Sequence, residues 1–225
     1  MPETQPDSEL NAFLREVFAC SPEVAEAIGR RAAARSYPAQ AVVVRQGDAV
    51  SEAYLLWLGR ARALAYTREG QLVLLQEFLP GDLFGALTDP KASPSDHDVV
   101  AAEASRTAVF LATEFVNLAE RHGCVGLALS RTLLRQLRAA TERMVARTTL
   151  TSVGRIHAEL LRLADLGDGR AIRPAPVLAA LAQRVQTTRE TASRAVNALE
   201  RRGIVRRDGE ALVIVARGRL EELVI

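Results

Sequence analysis

The stretch TTRETASRAVNALERRG, Thr187 to Gly203, sets Arg189, Glu190, Ser193 and Arg194 within two helical turns. On a helical wheel of about 100° per residue these four fall on one side, while Ala192, Ala195, Val196 and Leu199 cluster on the other. The polar set suits base edges: arginine offers a paired donor to guanine O6 and N7, glutamate accepts from cytosine N4, and serine serves a base or a phosphate. Around it stand Thr187, Thr188, Arg201, Arg202, Arg206 and Arg207, residue types that meet phosphates. Two plainer readings stand beside this one. Thr187 and Glu190 fit a capping box that would occupy Glu190 at the helix N-terminus, whereas a cap at Thr188 leaves Glu190 free to point outward. Arg189, Glu190 and Arg194 also fit a solvated, ion-paired helix face.

The neighbouring elements weigh against the solvated face. Upstream, PVLAALAQRV places Leu178, Leu181, Ala182 and Val185 on one side of a helix that ends at a two-residue break. Downstream, IVRR, the turn pair Asp208-Gly209 and ALVIV read as a tight hairpin. Helix, short turn, helix and hairpin is the order of a winged helix-turn-helix. Before it, VGRIHAELLRLADLG is amphipathic, with Val153, Ile156, Leu160 and Leu163 on one stripe and Gly167 as a stop.

From Thr113 to about Thr151 only Gly123 and Gly126 interrupt, so a short helix precedes a longer one starting near Val125. On the longer one Leu133, Leu137, Ala140 and Met144 recur at spacings of four, three and four, flanked by Arg131, Arg135, Arg138 and Arg143. The seam suits an intramolecular stripe or a homodimer. A long helix leaving a small domain has little of its own chain to cover it, which favours the dimer.

Toward the N-terminus, Leu10 to Ala34 carries two short helical patterns, the second opened by Ser21 as cap and Pro22 in its first turn. From Tyr37 to about Leu111 the texture changes to short runs, AVVV, AYLLWL, ARALAY, QLVLLQEF, VVAAEA and TAVFLA. The turn signals RQGD, LGR, REGQ and LPGD split them, as in an antiparallel barrel or roll.

A chain of 225 residues that is 48% apolar can bury two cores. Residues 1–114 hold 16 acidic against 10 basic side chains and residues 151–225 hold 13 basic against 9 acidic, so only the rear is expected to meet a polyanion. All basic residues but Lys91 are arginine, which favours bidentate contacts but also follows from a GC-rich genome. The opening MPETQPDSEL lacks a basic and an apolar signal region, and no uncharged run nears the about 20 residues of a membrane span. A cytoplasmic location is expected. Cys20 and Cys124, far apart in sequence, make neither a disulfide framework nor a metal signature, and read as two buried thiols.

The layout resembles the cyclic-AMP receptor protein and fumarate-nitrate regulator (Crp/Fnr) superfamily of bacterial transcription factors. The resemblance rests on Gly47-Asp48, Glu69-Gly70, PGDLFG at Pro80 to Gly85, GRIHAELLRLA after the long helix, and TRETASR at Thr188 to Arg194. It implies an α+β chain with an N-terminal antiparallel β-roll sensor over residues 1–124, a dimerisation helix over 125–151 and a C-terminal winged helix over 152–225. It implies that Arg189, Glu190 and Arg194 read bases, and that Ser193 matches a serine of the oxygen-sensing branch. The implied partners are a second copy of the chain, RNA polymerase, and double-stranded DNA with a palindromic site whose half-sites are similar to TGTGA or TTGA.

The sensor pocket departs from the family pattern. Cyclic-nucleotide binders of the superfamily carry Phe-Gly-Glu, whose glutamate takes the ribose, and later Arg-Ser, which takes the cyclic phosphate. Here the first motif is Phe84-Gly85-Ala86, and Asp98 and Val99 stand at the second. A missing arginine leaves the anion unpaired and Asp98 repels it, so cyclic AMP in the usual mode is not expected. Of the pair on the long helix that meets adenine in the cyclic-AMP branch, only Thr141 keeps a hydroxyl.

No resident cofactor is expected, although a cyclic nucleotide held another way and a haem stay open. Axial haem ligands would come from His97, His122, Cys20 or the amino group of Pro2, while two cysteines are too few for an iron-sulfur cluster. Cys124 is also a candidate redox-active thiol. Two other classes compete with a DNA-binding regulator. A cupin-like metal enzyme needs two or three histidines on facing strands, and the roll has only His97. A ligand-binding module whose winged helix docks protein instead of DNA needs no base-reading residues.

Overall fold

In the computed structural model the described residues are 5–66, 72–88 and 93–224; Pro2, Lys91 and the Glu69-Gly70 turn lie outside them. Contacts divide the chain into two compact units, Met1–Gln71 with Leu75–Ala139 and Leu72–Leu74 with Ala140–Ile225.

Helices α1 (Gln5–Phe18) and α2 (Pro22–Gly29) open the first unit. Ser21 caps α2 by accepting the Val24 N–H at 3.4 Å. Among the described residues the strands that follow are β1 (Ala33–Tyr37), β2 (Val42–Val44), β3 (Ala49–Val50), β4 (Glu52–Leu58), β5 (Ala61–Tyr66), β6 (Leu72–Phe78), β7 (Leu83–Gly85), β8 (Ser93–Pro94), β9 (Asp98–Ala101) and β10 (Ser105–Leu111). They form one sheet in the order β1-β10-β4-β7, another in the order β2-β9-β5-β6, and a β3-β8 pair. This is the antiparallel roll expected from the turn signals. Strand β1 begins at Ala33, ahead of the expected change at Tyr37; nearly all of it is exposed, so its residues show no apolar alternation.

Strand β4 reads as one apolar run because both its faces are covered. Leu55 joins a cluster with Leu14, Ile28, Phe110 and Phe115, whereas its neighbour Leu56 packs with Val44, Phe78, Phe84 and Val99. Helices α3 (Ala112–Arg121) and α4 (Gly123–Thr149) follow, and the unit boundary falls inside α4. In the first unit α4 buries Val125, Ala128 and Thr132. Asp82, in the turn before β7, accepts the Leu79 N–H at 2.8 Å and Arg135 Nη2 at 2.6 Å. Gln136 Nε2 donates to the Leu83 carbonyl at 3.0 Å.

The second unit contains α5 (Ser152–Asp165), β11 (Ala171–Ile172), α6 (Leu178–Val185), α7 (Arg189–Arg201), β12 (Val205–Asp208), β13 (Ala211–Ile214) and α8 (Arg217–Glu221). Ile156, Leu160, Leu181, Val196, Leu199 and Ile214 form its core. The strands pair in the order β11-β13-β12, so the hairpin after α7 carries a third short strand. Gly203 ends α7 with a φ of 65°, and its N–H and that of Ile204 satisfy the carbonyls of Glu200 and Leu199, each at 2.9 Å.

Candidate nucleic-acid interface and effector cavity

Helix α7 buries Ala192, Ala195, Val196 and Leu199 and leaves Arg189, Glu190 and Arg194 exposed; Ser193 is half-buried between them. Its cap is Thr188, whose Oγ1 accepts the Thr191 N–H at 3.2 Å. The capping box at Thr187 is therefore not the one formed, and Thr187 lies half-buried in the turn. Glu190 is exposed in the first turn of α7, where its own backbone N–H and the Thr188 hydroxyl hold its carboxyl below the usual range. It is ionised, and its carboxylate is drawn to the start of the helix.

The turn before α7 depends on Gln186, which adopts a left-handed conformation at φ 52°. Arg155, from the GRIHAELLRLA motif on α5, holds that turn: Nε donates to the Val185 carbonyl and Nη1 to the Leu150 carbonyl, each at 3.0 Å. Sequence reasoning passed over Arg155, because a clamp onto backbone oxygens needs no partner residue type.

Arg201, Arg202, Arg206 and Arg207 are all exposed. Two of them already have partners: Arg207 Nε lies 3.4 Å from Glu200 and Arg206 Nη2 lies 3.6 Å from Asp208. The first pair ties the β12-β13 hairpin to α7.

On α4, Leu133, Leu137, Ala140 and Met144 are exposed, as are Leu127, Leu134 and Val145, which the four-three-four spacing had missed. At about 100° per residue, Leu127, Leu134, Leu137 and Met144 centre on the side opposite Val125, Ala128 and Thr132. The expected seam of Leu133, Leu137, Ala140 and Met144 lies within this wider exposed side, whose centre falls nearer Leu134.

In the roll a cavity of about 270 Å³ is lined by Val44, Gly85, Ala86, Asp96, His97 and Val99 among others. Gly85 has a φ of 88°, and a Cβ there would lie 2.5 Å from the Glu52 carbonyl oxygen. One expected pocket residue stands elsewhere. Asp98 does not line the cavity, because its carboxylate accepts the Gln46 N–H at 2.6 Å. Thr141 is exposed on α4. The wall at that point is Ser95, Asp96 and His97, placed two positions ahead of the aligned pair. Burial holds the His97 imidazole below its ordinary value, against the pull of Asp96 and Asp98. Among the described residues no lysine or arginine lines this cavity, and no group of three metal-ligating side chains occurs.

In the roll Tyr54 stacks on Phe84, with ring centroids 5.1 Å apart, and donates its hydroxyl to Glu52 at 2.8 Å. Arg35 grips the same carboxylate with both terminal nitrogens, at 2.5 and 2.7 Å. These two donors, Arg35 the stronger, hold the Glu52 carboxyl below its usual range.

A β-roll with a cavity and a winged helix-turn-helix in one chain define a two-module architecture. Residues 34–122 match the model of the cyclic nucleotide-binding domain, and residues 154–223 that of the Crp-like helix-turn-helix domain. With both modules in this order, the chain belongs to the Crp/Fnr superfamily of transcription regulators. It is 29% identical over 190 residues to the cyclic AMP receptor protein of Thermus thermophilus, covering 84% of this chain and 87% of that one. Two solved structures share its fold. A CooA variant from Carboxydothermus hydrogenoformans has a TM-score of 0.77 at 17% identity, over 94% of this chain and 95% of that one. FixK2 from Bradyrhizobium japonicum has a TM-score of 0.71 at 21% identity, over 85% and 96%. Among the described residues no helix is long and apolar enough to cross a membrane.

Proposed function

We propose that this chain is a homodimeric, sequence-specific DNA-binding regulator of the cytoplasm whose roll does not hold cyclic AMP by the usual contacts. The observation that carries the reading is the exposed set Arg189, Glu190 and Arg194 on a helix whose other side is the core of the second unit. Arg189 and Arg194 would donate to guanines and the exposed Glu190 carboxylate would accept from a cytosine. Ser193 would serve a base, while Thr187, Thr188, Arg201, Arg202, Arg206 and Arg207 would meet phosphates. The exposed stripe on α4 pairs two copies, which gives a two-fold symmetric operator with half-sites similar to TGTGA or TTGA. RNA polymerase is the further partner of such a regulator.

Cyclic AMP, in the name of the Thermus thermophilus relative, is not carried over to this chain. The described cavity wall offers Ala86 and Asp96 and no cationic side chain, and an unpaired phosphate in such a site is costly. Selection from a random DNA pool, followed by salt titration of the recovered site, tests the proposal. A two-fold symmetric site with a steep fall in affinity as salt rises is expected. A flat salt response would instead favour a winged helix that docks protein.

A further inference from the structure

Another cavity of the first unit, about 300 Å³, is lined by α2, α3 and the residues that follow each, and it shares no residue with the cavity of the roll. Glu114, Asn117, Leu118 and Arg121 recur on α3 at helical spacing, so one side of that helix faces in. From α2 comes Ala27 and, past its end, Arg30 and Arg31. Leu118 is buried and Ala27 half-buried, whereas Arg30, Arg31, Asn117 and Arg121 are exposed, which makes an apolar floor under a cationic rim.

The charge of this cavity runs against its surroundings. Residues 1–114 hold an acidic excess, yet three arginines line the cavity against one carboxylate, Glu114. Arg31 Nη1 donates to Glu114 and neutralises it. Arg30 Nη1 lies 2.8 Å from Glu26 Oε1, but these side chains are 64% and 63% exposed, so the pair is worth little and gives way to a better acceptor at small cost. The Arg121 side chain has no hydrogen-bond or ion-pair partner among the described residues. Two guanidiniums, one beyond α2 and one on α3, are therefore left to meet an anion.

We propose that this cavity binds a small phosphorylated metabolite by its phosphate group, at a site separate from the roll cavity. The planar paired donors of Arg30 and Arg121 match the oxygens of a phosphate dianion, and their two charges balance it. The Asn117 amide and the His122 imidazole, both on the cavity wall, each add a neutral donor. Ala27 and Leu118 offer the carbon part of the ligand an apolar surface, and a volume at the low end of ligand sites suits a small molecule. His122 also joins α3 to α4, its carbonyl accepting the Val125 N–H at 2.8 Å. A ligand held here would tie the end of α2 to the start of α4.

The test titrates the full chain with inorganic pyrophosphate at fixed ionic strength by calorimetry, with citrate in a parallel titration, and locates the ligand by hydrogen exchange. Expected are saturable binding at this site, weaker binding of citrate, and slowed exchange over residues 27–31 and 117–125. Arg30→Gln with Arg121→Gln should weaken pyrophosphate about tenfold or more without lowering the ligand-free melting temperature, because both side chains are exposed, whereas Arg206→Gln should change nothing. No saturable binding, slowed exchange only in the winged helix, an equal loss in Arg206→Gln, or citrate bound as tightly as pyrophosphate would overturn the proposal. DNA is absent from the experiment, so neither outcome bears on base reading by α7.

Discussion

Arg155 on α5 donates its Nε–H to the Val185 carbonyl at 3.0 Å, so the guanidinium of one helix closes the last turn of the next. The same side chain reaches the Leu150 carbonyl at 3.0 Å. One residue therefore links the segment before α5 to the end of α6, the turn from which α7 leaves.

Arg155→Lys should lose about 1.5–3 kcal/mol of unfolding free energy, because an ammonium cannot span two carbonyls in the guanidinium's fixed geometry. Chemical denaturation measures it. DNA affinity should fall on all sequences alike, since the variant disturbs the placement of α7 and not its readout.

The cap at α7 makes a finer prediction. Thr188→Ala should cost about 0.5–2 kcal/mol in chemical denaturation, and Thr187→Ala less, because only Thr188 Oγ1 accepts the Thr191 N–H. The reverse order would restore the Thr187 capping box and take Glu190 away from the bases.

Leu134→Asp or Leu137→Asp should convert a dimer into a monomer in sedimentation, with little change in melting temperature, because both side chains are exposed on α4. Ala128→Asp should unfold the first unit instead, since Ala128 is on the buried face. A dimer that survives both leucine changes would remove this stripe from the assembly.

Acid should act through Glu52. Its carboxyl is held below the usual range by Arg35 and then Tyr54, so the stability that it contributes is whole above the ordinary value of about 4.3 and is lost as pH falls through the lowered one. Between pH ~5 and pH ~3 the melting temperature of the wild type should therefore fall more steeply than that of Glu52→Gln. Parallel curves would mean that the Arg35 contact contributes nothing.

The winged helix was legible in sequence because its signals are local: an amphipathic period, a cap and a turn pair, each within a few residues. The roll was legible for the same reason, except β1, where Ala33, Ala34, Arg35 and Ser36 are all exposed and carry no pattern. What was not legible depends on side chains meeting across the fold. Arg155 pairs with carbonyls, which every residue has. On α4 the apolar residues at 133 and 134 permit two seams, and both residues are exposed. In the roll, Asp98 was aligned with a phosphate-binding position, yet its carboxylate is taken by the Gln46 N–H while Asp96 and His97 line the cavity.

Base reading by α7 is tested most directly by the affinity of Arg194→Ala, relative to wild type, on the selected operator and on random DNA at one salt concentration. The account predicts a loss of about 1–3 kcal/mol on the operator, roughly 5- to 150-fold, with relaxed preference at one base pair of each half-site and little change on random DNA. Equal losses on both would contradict it, leaving Arg194 a phosphate contact.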